Sequence, residues 1–158
     1  MNPQTQLNGF IDRFTPAIAA LAKGALSKMR KRLPNANQLV YDNYNALAIG
    51  FGPTELASDA IFSIALYPGS VNLCFLQGGR SRLKDPNKLL QGSGSTNRFI
   101  PVESADALDQ PAIEDLMAQA LAAAKVPLDP SATGRLVIKS VSARQRPRRP
   151  RSLRALTQ

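Results

Sequence analysis

Histidine and tryptophan are absent from this chain, and cysteine occurs once, at Cys74. Without histidine, the chain lacks the side chain most used as a general base, as the base of a catalytic triad and as a metal ligand. A lone cysteine excludes an intrachain disulfide. Cys74 sits in the apolar run Val71–Leu76 with no basic neighbour to lower its pKa, so it reads as a small buried hydrophobe rather than a reactive thiol. Long apolar runs are missing too: none approaches the ~20 residues that a membrane helix requires. Met1–Gly9 has neither the positive region nor the apolar core of a secretory signal. These absences lead to the expectation of a cytoplasmic protein that engages no membrane.

Acidic residues are few and unevenly placed. Residues 1–143 hold 14 Lys/Arg against 11 Asp/Glu, a net of +3, whereas residues 144–158 hold six arginines and no acid, a net of +6. The basicity therefore belongs largely to the C-terminal segment. There Arg144, Arg146, Arg148, Arg149, Arg151 and Arg154 surround Pro147 and Pro150, a composition expected to be disordered when free. The rest has the means to fold: 158 residues with 44% hydrophobic side chains suit one domain. At this length roughly 68–70% of the unfolded surface is buried without any staple.

Spacing assigns the elements. Leu7, Phe10, Ile11 and Phe14 fall on one face of a short helix. Thr15 then reads as an N-cap with Pro16 at the first helical position, and the helix runs to Leu33 before Pro34 and Asn35 end it. Gln38–Tyr41 reads as a short strand followed by a turn at Asp42-Asn43. Asn45–Phe51 alternates with a period of two, and Ala60–Leu66 and Val71–Leu76 flank the turn Tyr67-Pro68-Gly69-Ser70. Gln77–Lys88 is basic and turn-rich, Leu89–Thr96 is a Gly/Ser loop, and Arg98–Val102 is a last short strand. Pro111 opens a helix capped by Asp109 or Gln110, with an apolar stripe from Ile113 to Ala124. Arg135–Ile138 is apolar enough to dock as an extra strand. The expected organisation is an α+β domain over residues 1–126, an extension over 127–143 with that extra strand, and the arginine-rich tail over 144–158. Consecutive strands imply an antiparallel sheet of about five strands with N- and C-terminal helices on one face.

Four places could carry chemistry. Glycines in Gln91–Arg98, with Gly92, Gly94 and Arg98 foremost, would let backbone N–H groups converge on an anion. The spacing is neither a Walker loop nor a dinucleotide fingerprint, and a plain turn is the alternative. Tyr41, Asp42, Tyr44 and Asn45 cluster polar groups at a sheet end, where they either bind a ligand or simply make the turn. Asp106, Asp109, Glu114 and Asp115 form an acidic patch without nearby Lys or Arg in sequence. It reads either as a weak, exposed metal site or as acids complementing a helix N-terminus. The six tail arginines suit sequence-blind phosphate contact, with Arg80, Arg82 and Lys84 as further contributors. The tail has no interleaved aromatics, so base stacking is not indicated. An enzyme would have to use Asp42, Lys84 or a tyrosine, and no activated nucleophile or paired carboxylates are evident.

Several segments together resemble the YdhG-like family of small bacterial proteins, a domain of unknown function. They are the helical start Phe10–Leu33, the run Leu39-Val40-Tyr41-Asp42-Asn43-Tyr44-Asn45-Ala46, the meander Ala60–Leu76, the loop Leu89-Leu90-Gln91-Gly92-Ser93-Gly94, and Arg98 followed by the helix from Pro111. The resemblance covers roughly residues 5–125 and implies a frataxin-like two-layer α+β sandwich. It also implies a non-enzymatic binding or chaperone-type role toward a protein partner or a metal ion, with iron as the metal and no cofactor required. Frataxins carry acids on the first helix. Here that region has only Asp12, so the resemblance transfers no metal ligand residue by residue.

Overall fold

The computed structural model describes residues 1–150, apart from the side chains of Arg80 and Ser81. Helix α1 spans Pro3–Ile11 and is capped by Asn2, whose side chain accepts from the Thr5 amide. Leu7, Ile11 and Phe14 are buried, as their shared helical face requires. Helix α2 spans Pro16–Arg32 and starts on Thr15, whose hydroxyl accepts from the Ile18 amide. Arg30, Lys31 and Arg32 occupy its last turn, where cations face the negative end of the helix dipole.

The strands are β1 (Asn37–Asp42), β2 (Leu47–Gly52), β3 (Phe62–Tyr67), β4 (Ser70–Phe75), β5 (Arg98–Pro101) and β6 (Leu136–Val141). Between β4 and β5 lies α3, the single turn Gly78–Ser81. Helix α4 spans Pro111–Ala122 after β5. The sheet order is β5-β4-β3-β2-β1-β6. Neighbours from β1 to β5 pair antiparallel, as a meander should. Val40, Ile49, Ile64, Leu73 and Ile100 form one cross-strand row and share a buried cluster with Leu26 and Met29 of α2 and with Ile113 and Met117 of α4. Helices from both ends of the chain therefore cover the same face. The opposite face carries smaller groups, including Gly50, Ser63, Ala65 and Cys74.

Two expectations change. The sheet has six strands, not about five, and it is mixed rather than antiparallel: β6 lies parallel to β1, with a register shift between Val40 and Tyr41. The meander leaves the outer edge of β1 unpaired. The apolar residues Leu136 and Ile138 reach it after α4 and pack against the core from there. The second correction concerns the tail. Residues 144–150 are not loose; they lie against the body, and Arg148 is 4% exposed. Arg151 and Arg154 lie outside the described residues.

The close approach of β6 depends on Gly134. A Cβ there would meet the Ala36 carbonyl oxygen at 1.8 Å, well inside contact distance. Gly134→Ala must therefore push β6 off β1, which is worse than ordinary overpacking at about 1–3 kcal/mol. The expected result is a marked fall in the urea unfolding midpoint, by more than that of a Gly94→Ala control, whose Cβ meets nothing within 4 Å. Equal midpoints would show that β6 does not pair at this position.

Candidate functional site

Asp42 is the last residue of β1. It lies two positions after Val40, so strand alternation turns its carboxylate toward the helix-covered face, where it is 1% exposed. A carboxylate this deep requires a cation and hydrogen bonds. Arg148 supplies both. Its Nη2 donates to Asp42 Oδ1 at 2.9 Å and also to the Asn43 carbonyl, and its Nη1 donates to the Tyr44 carbonyl at 3.4 Å. The guanidinium stands over the Phe14 ring, 5.6 Å from its centroid. Arg13 approaches the second carboxylate oxygen at 3.7 Å, and that oxygen accepts no hydrogen bond from the described residues.

Backbone contacts complete the fastening. The Asp42 carbonyl accepts from the Ser142 amide at 2.8 Å and from the Gln145 side chain at 3.0 Å. The Arg146 amide donates to the Tyr44 carbonyl at 2.9 Å. Arg13 donates to the Gln145 side chain, and Arg149 donates to the Arg13 carbonyl at 3.2 Å. Residues 142–149 thus form a strap across the end of β1 and the junction of α1 with α2. The strap buries Arg148 and leaves Arg144, Arg146 and Arg149 exposed. Lys139 on β6 and half-exposed Arg13 lie on neighbouring elements.

The structure separates the other proposed ligand groups. Tyr41 points to the opposite face from Asp42; its buried hydroxyl has no hydrogen-bond partner among the described residues, and burial raises its pKa. Tyr44 and Asn45 are exposed in the turn, which the Asn43 amide closes onto the Ala46 carbonyl. Gly92, Gly94 and Arg98 belong to the β5 side. Four strand spacings of ~4.8 Å place β5 roughly 19 Å from β1, so the two motifs share no cavity. Gly92 has φ +106°, which explains the glycine as a turn requirement. Arg98 donates to the Gly94 and Asn97 carbonyls, so this loop presents carbonyl oxygens to a cation rather than amides to an anion.

Three acids of the patch face cations of α2. Lys28 donates to Asp109 and lies 3.5 Å from Asp106, while Arg32 reaches Asp109 at 3.2 Å and Glu114 at 3.5 Å. Asp115 accepts from Gln119 at 2.8 Å. Sequence distance hid these partners: α2 contributes its last turns to acids some 80 residues later. Among the described residues no three potential metal ligands converge. Cys74 is buried, and burial raises its pKa, partly offset by a hydrogen bond from Ser63. A cleft of about 510 Å³ lies between Ser58, Gln77, Thr96 and Lys125. Gln77 donates to the Ala60 carbonyl and accepts from the Lys125 amide.

The sequence reading missed the Asp42–Arg148 pair. The available signal was the phase of β1: an acid two residues after a core valine must point inward and must find a cation elsewhere. No protein-family model, curated protein or solved structure matches the chain. Among the described residues no helix is long and apolar enough to cross a membrane.

Removing one member of a buried pair strands the other. Arg148→Ala is expected to lower stability by about 3–5 kcal/mol in urea unfolding, whereas Arg148→Met combined with Asp42→Leu returns close to wild type. A small effect of the single substitution would show that the strap is not fastened here. The surface pair gives a pH signature. The hydrogen bond from Lys28 chiefly holds the Asp109 carboxyl below its ordinary value of 3.8. The contribution is therefore complete above 3.8 and is lost as pH falls through the lower folded value. The stability gap between wild type and Asp109→Asn should be constant near neutrality and close in acid; a gap that stays open would remove this assignment.

Proposed function

We propose that this chain is a non-enzymatic binding module whose ligand is the phosphate backbone of a nucleic acid, held by the arginine strap. The observation that carries the reading is the burial of Arg148 against Asp42. That pair spends one arginine on the fold and holds its neighbours Arg144, Arg146 and Arg149 outward in fixed positions. A free tail would present the same charges only after losing conformational entropy. Arginine contacts with phosphate are strong and need no base sequence. The net charge of +9 favours approach to a polyanion.

A YdhG-like, frataxin-like identity remains part of the proposal. It is supported by the α+β architecture with helices on one sheet face. The iron-handling role that this resemblance implies has less support, because Asp106, Asp109 and Glu114 already face Lys28 and Arg32.

The test is affinity for duplex DNA against salt concentration. If three arginines contact phosphates, replacing Arg144, Arg146 and Arg149 together by alanine should flatten the log–log salt slope by about 2.7 and weaken binding at low salt. Superimposed curves for wild type and the triple variant would overturn the reading.

A further inference from the structure

The tail sequence contains no aromatic residue, yet the fold brings two tyrosines to it. The β1–β2 turn carries Tyr44 and Asn45, and the β3–β4 turn begins at Tyr67-Pro68. Leu47 pairs with Leu66, so these turns lie side by side at the same end of the sheet. The strap arrives at that end, where the Arg146 amide donates to the Tyr44 carbonyl. A pocket of about 480 Å³ opens there, lined by Asn45, Tyr67, Pro68 and Arg146. The Arg146 guanidinium stands over the Tyr44 ring, 5.5 Å from its centroid, so one of its faces is backed by an aromatic. Tyr44 is 47% exposed and Tyr67 is 38% exposed, large aromatic surfaces to leave in water.

We infer that this pocket receives an unpaired nucleobase, so that the ligand of the strap is single-stranded. The inference rests on the nucleic-acid reading above and names the form of nucleic acid. Tyr67 and Pro68 supply apolar faces on which a base can stack, and Arg146 supplies a planar cation that stacks and reaches phosphate. Asn45 offers both a donor and an acceptor amide to a base edge. Arg144 and Arg149 lie on the same strap on either side of Arg146 and would follow the backbone of the strand. A base inside a duplex is stacked on its neighbours and cannot enter. The pocket is open to any base because every base presents a flat face, so discrimination among bases falls to Asn45 alone.

The experiment measures fluorescence anisotropy of the full chain with an oligothymidylate of about a dozen nucleotides and with the same strand in a duplex. Tyr67→Ala is expected to weaken single-strand binding by about 5- to 150-fold and leave duplex binding within about twofold. Tyr67→Phe retains the ring and should retain the affinity. Urea midpoints of both variants report whether the fold is intact. If Tyr67→Ala leaves single-strand affinity unchanged, or lowers both affinities equally with an unchanged midpoint, the base pocket is overturned while the strap reading stands. If wild type binds neither strand form at low salt, both fall together.

Discussion

A carboxylate placed on the core side of a strand sets the problem that the C-terminal part of this molecule solves. Asp42 is almost fully enclosed, with one oxygen on Arg148 and the other near Arg13. Neither charge could stay buried alone, so the segment bearing Arg148 has no low-energy alternative to lying across the end of β1. The aromatic face of Phe14 completes the enclosure and ties the pair to the junction of α1 and α2. One ionic contact thus joins the first helices, the first strand and the last described segment. Burying such a pair is weak evidence of net stabilisation, since a hydrophobic pair of similar volume can do as well. Its value lies in position: it dictates which arginine goes inward and which remain in water.

The same charge type plays three parts in this chain. Lys28 and Arg32 neutralise the acids around α4, Arg98 satisfies loop carbonyls, and Arg148 neutralises Asp42. Arg144, Arg146 and Arg149 of the strap stay exposed, as does Lys139 on β6. The edge strand β6 carries exposed Lys139, and a cation on an exposed edge resists pairing with another sheet.

The helices and the meander were legible because local rules determine them. Thr15-Pro16 is a start signal whose partners lie within one turn, and the alternation of Leu47, Ile49 and Phe51 needs only the pleat. The sixth strand was visible as an apolar run at Arg135–Ile138, but its direction and partner were not. Those depend on which sheet edge remains vacant once the meander has formed. The strap was hidden by composition: a stretch of arginine and proline reads as solvated until one arginine finds an acid distant in sequence. Asp42 was read as a turn residue because Asn43 follows it, whereas its register with Leu47 keeps it in the ladder. The partners of the acidic patch were hidden for a related reason, since its cations come from α2. The proposed base pocket is tertiary in the same sense, with walls from two turns and the strap.

The span between Asp42 and Arg148 has a consequence for biosynthesis. Their contact joins positions 106 apart, and β6, the neighbour of β1, is equally late in the chain. At roughly 5–20 residues per second, a ribosome needs about 5–20 s to make that stretch. Throughout this interval the nascent chain holds an uncompensated acid at the end of its first strand and an open sheet edge beside it. The meander can form in outline as it emerges, but closure waits for the last segment. Ribosomes that stall or terminate early would release a chain whose β1 edge is free to pair with another polypeptide.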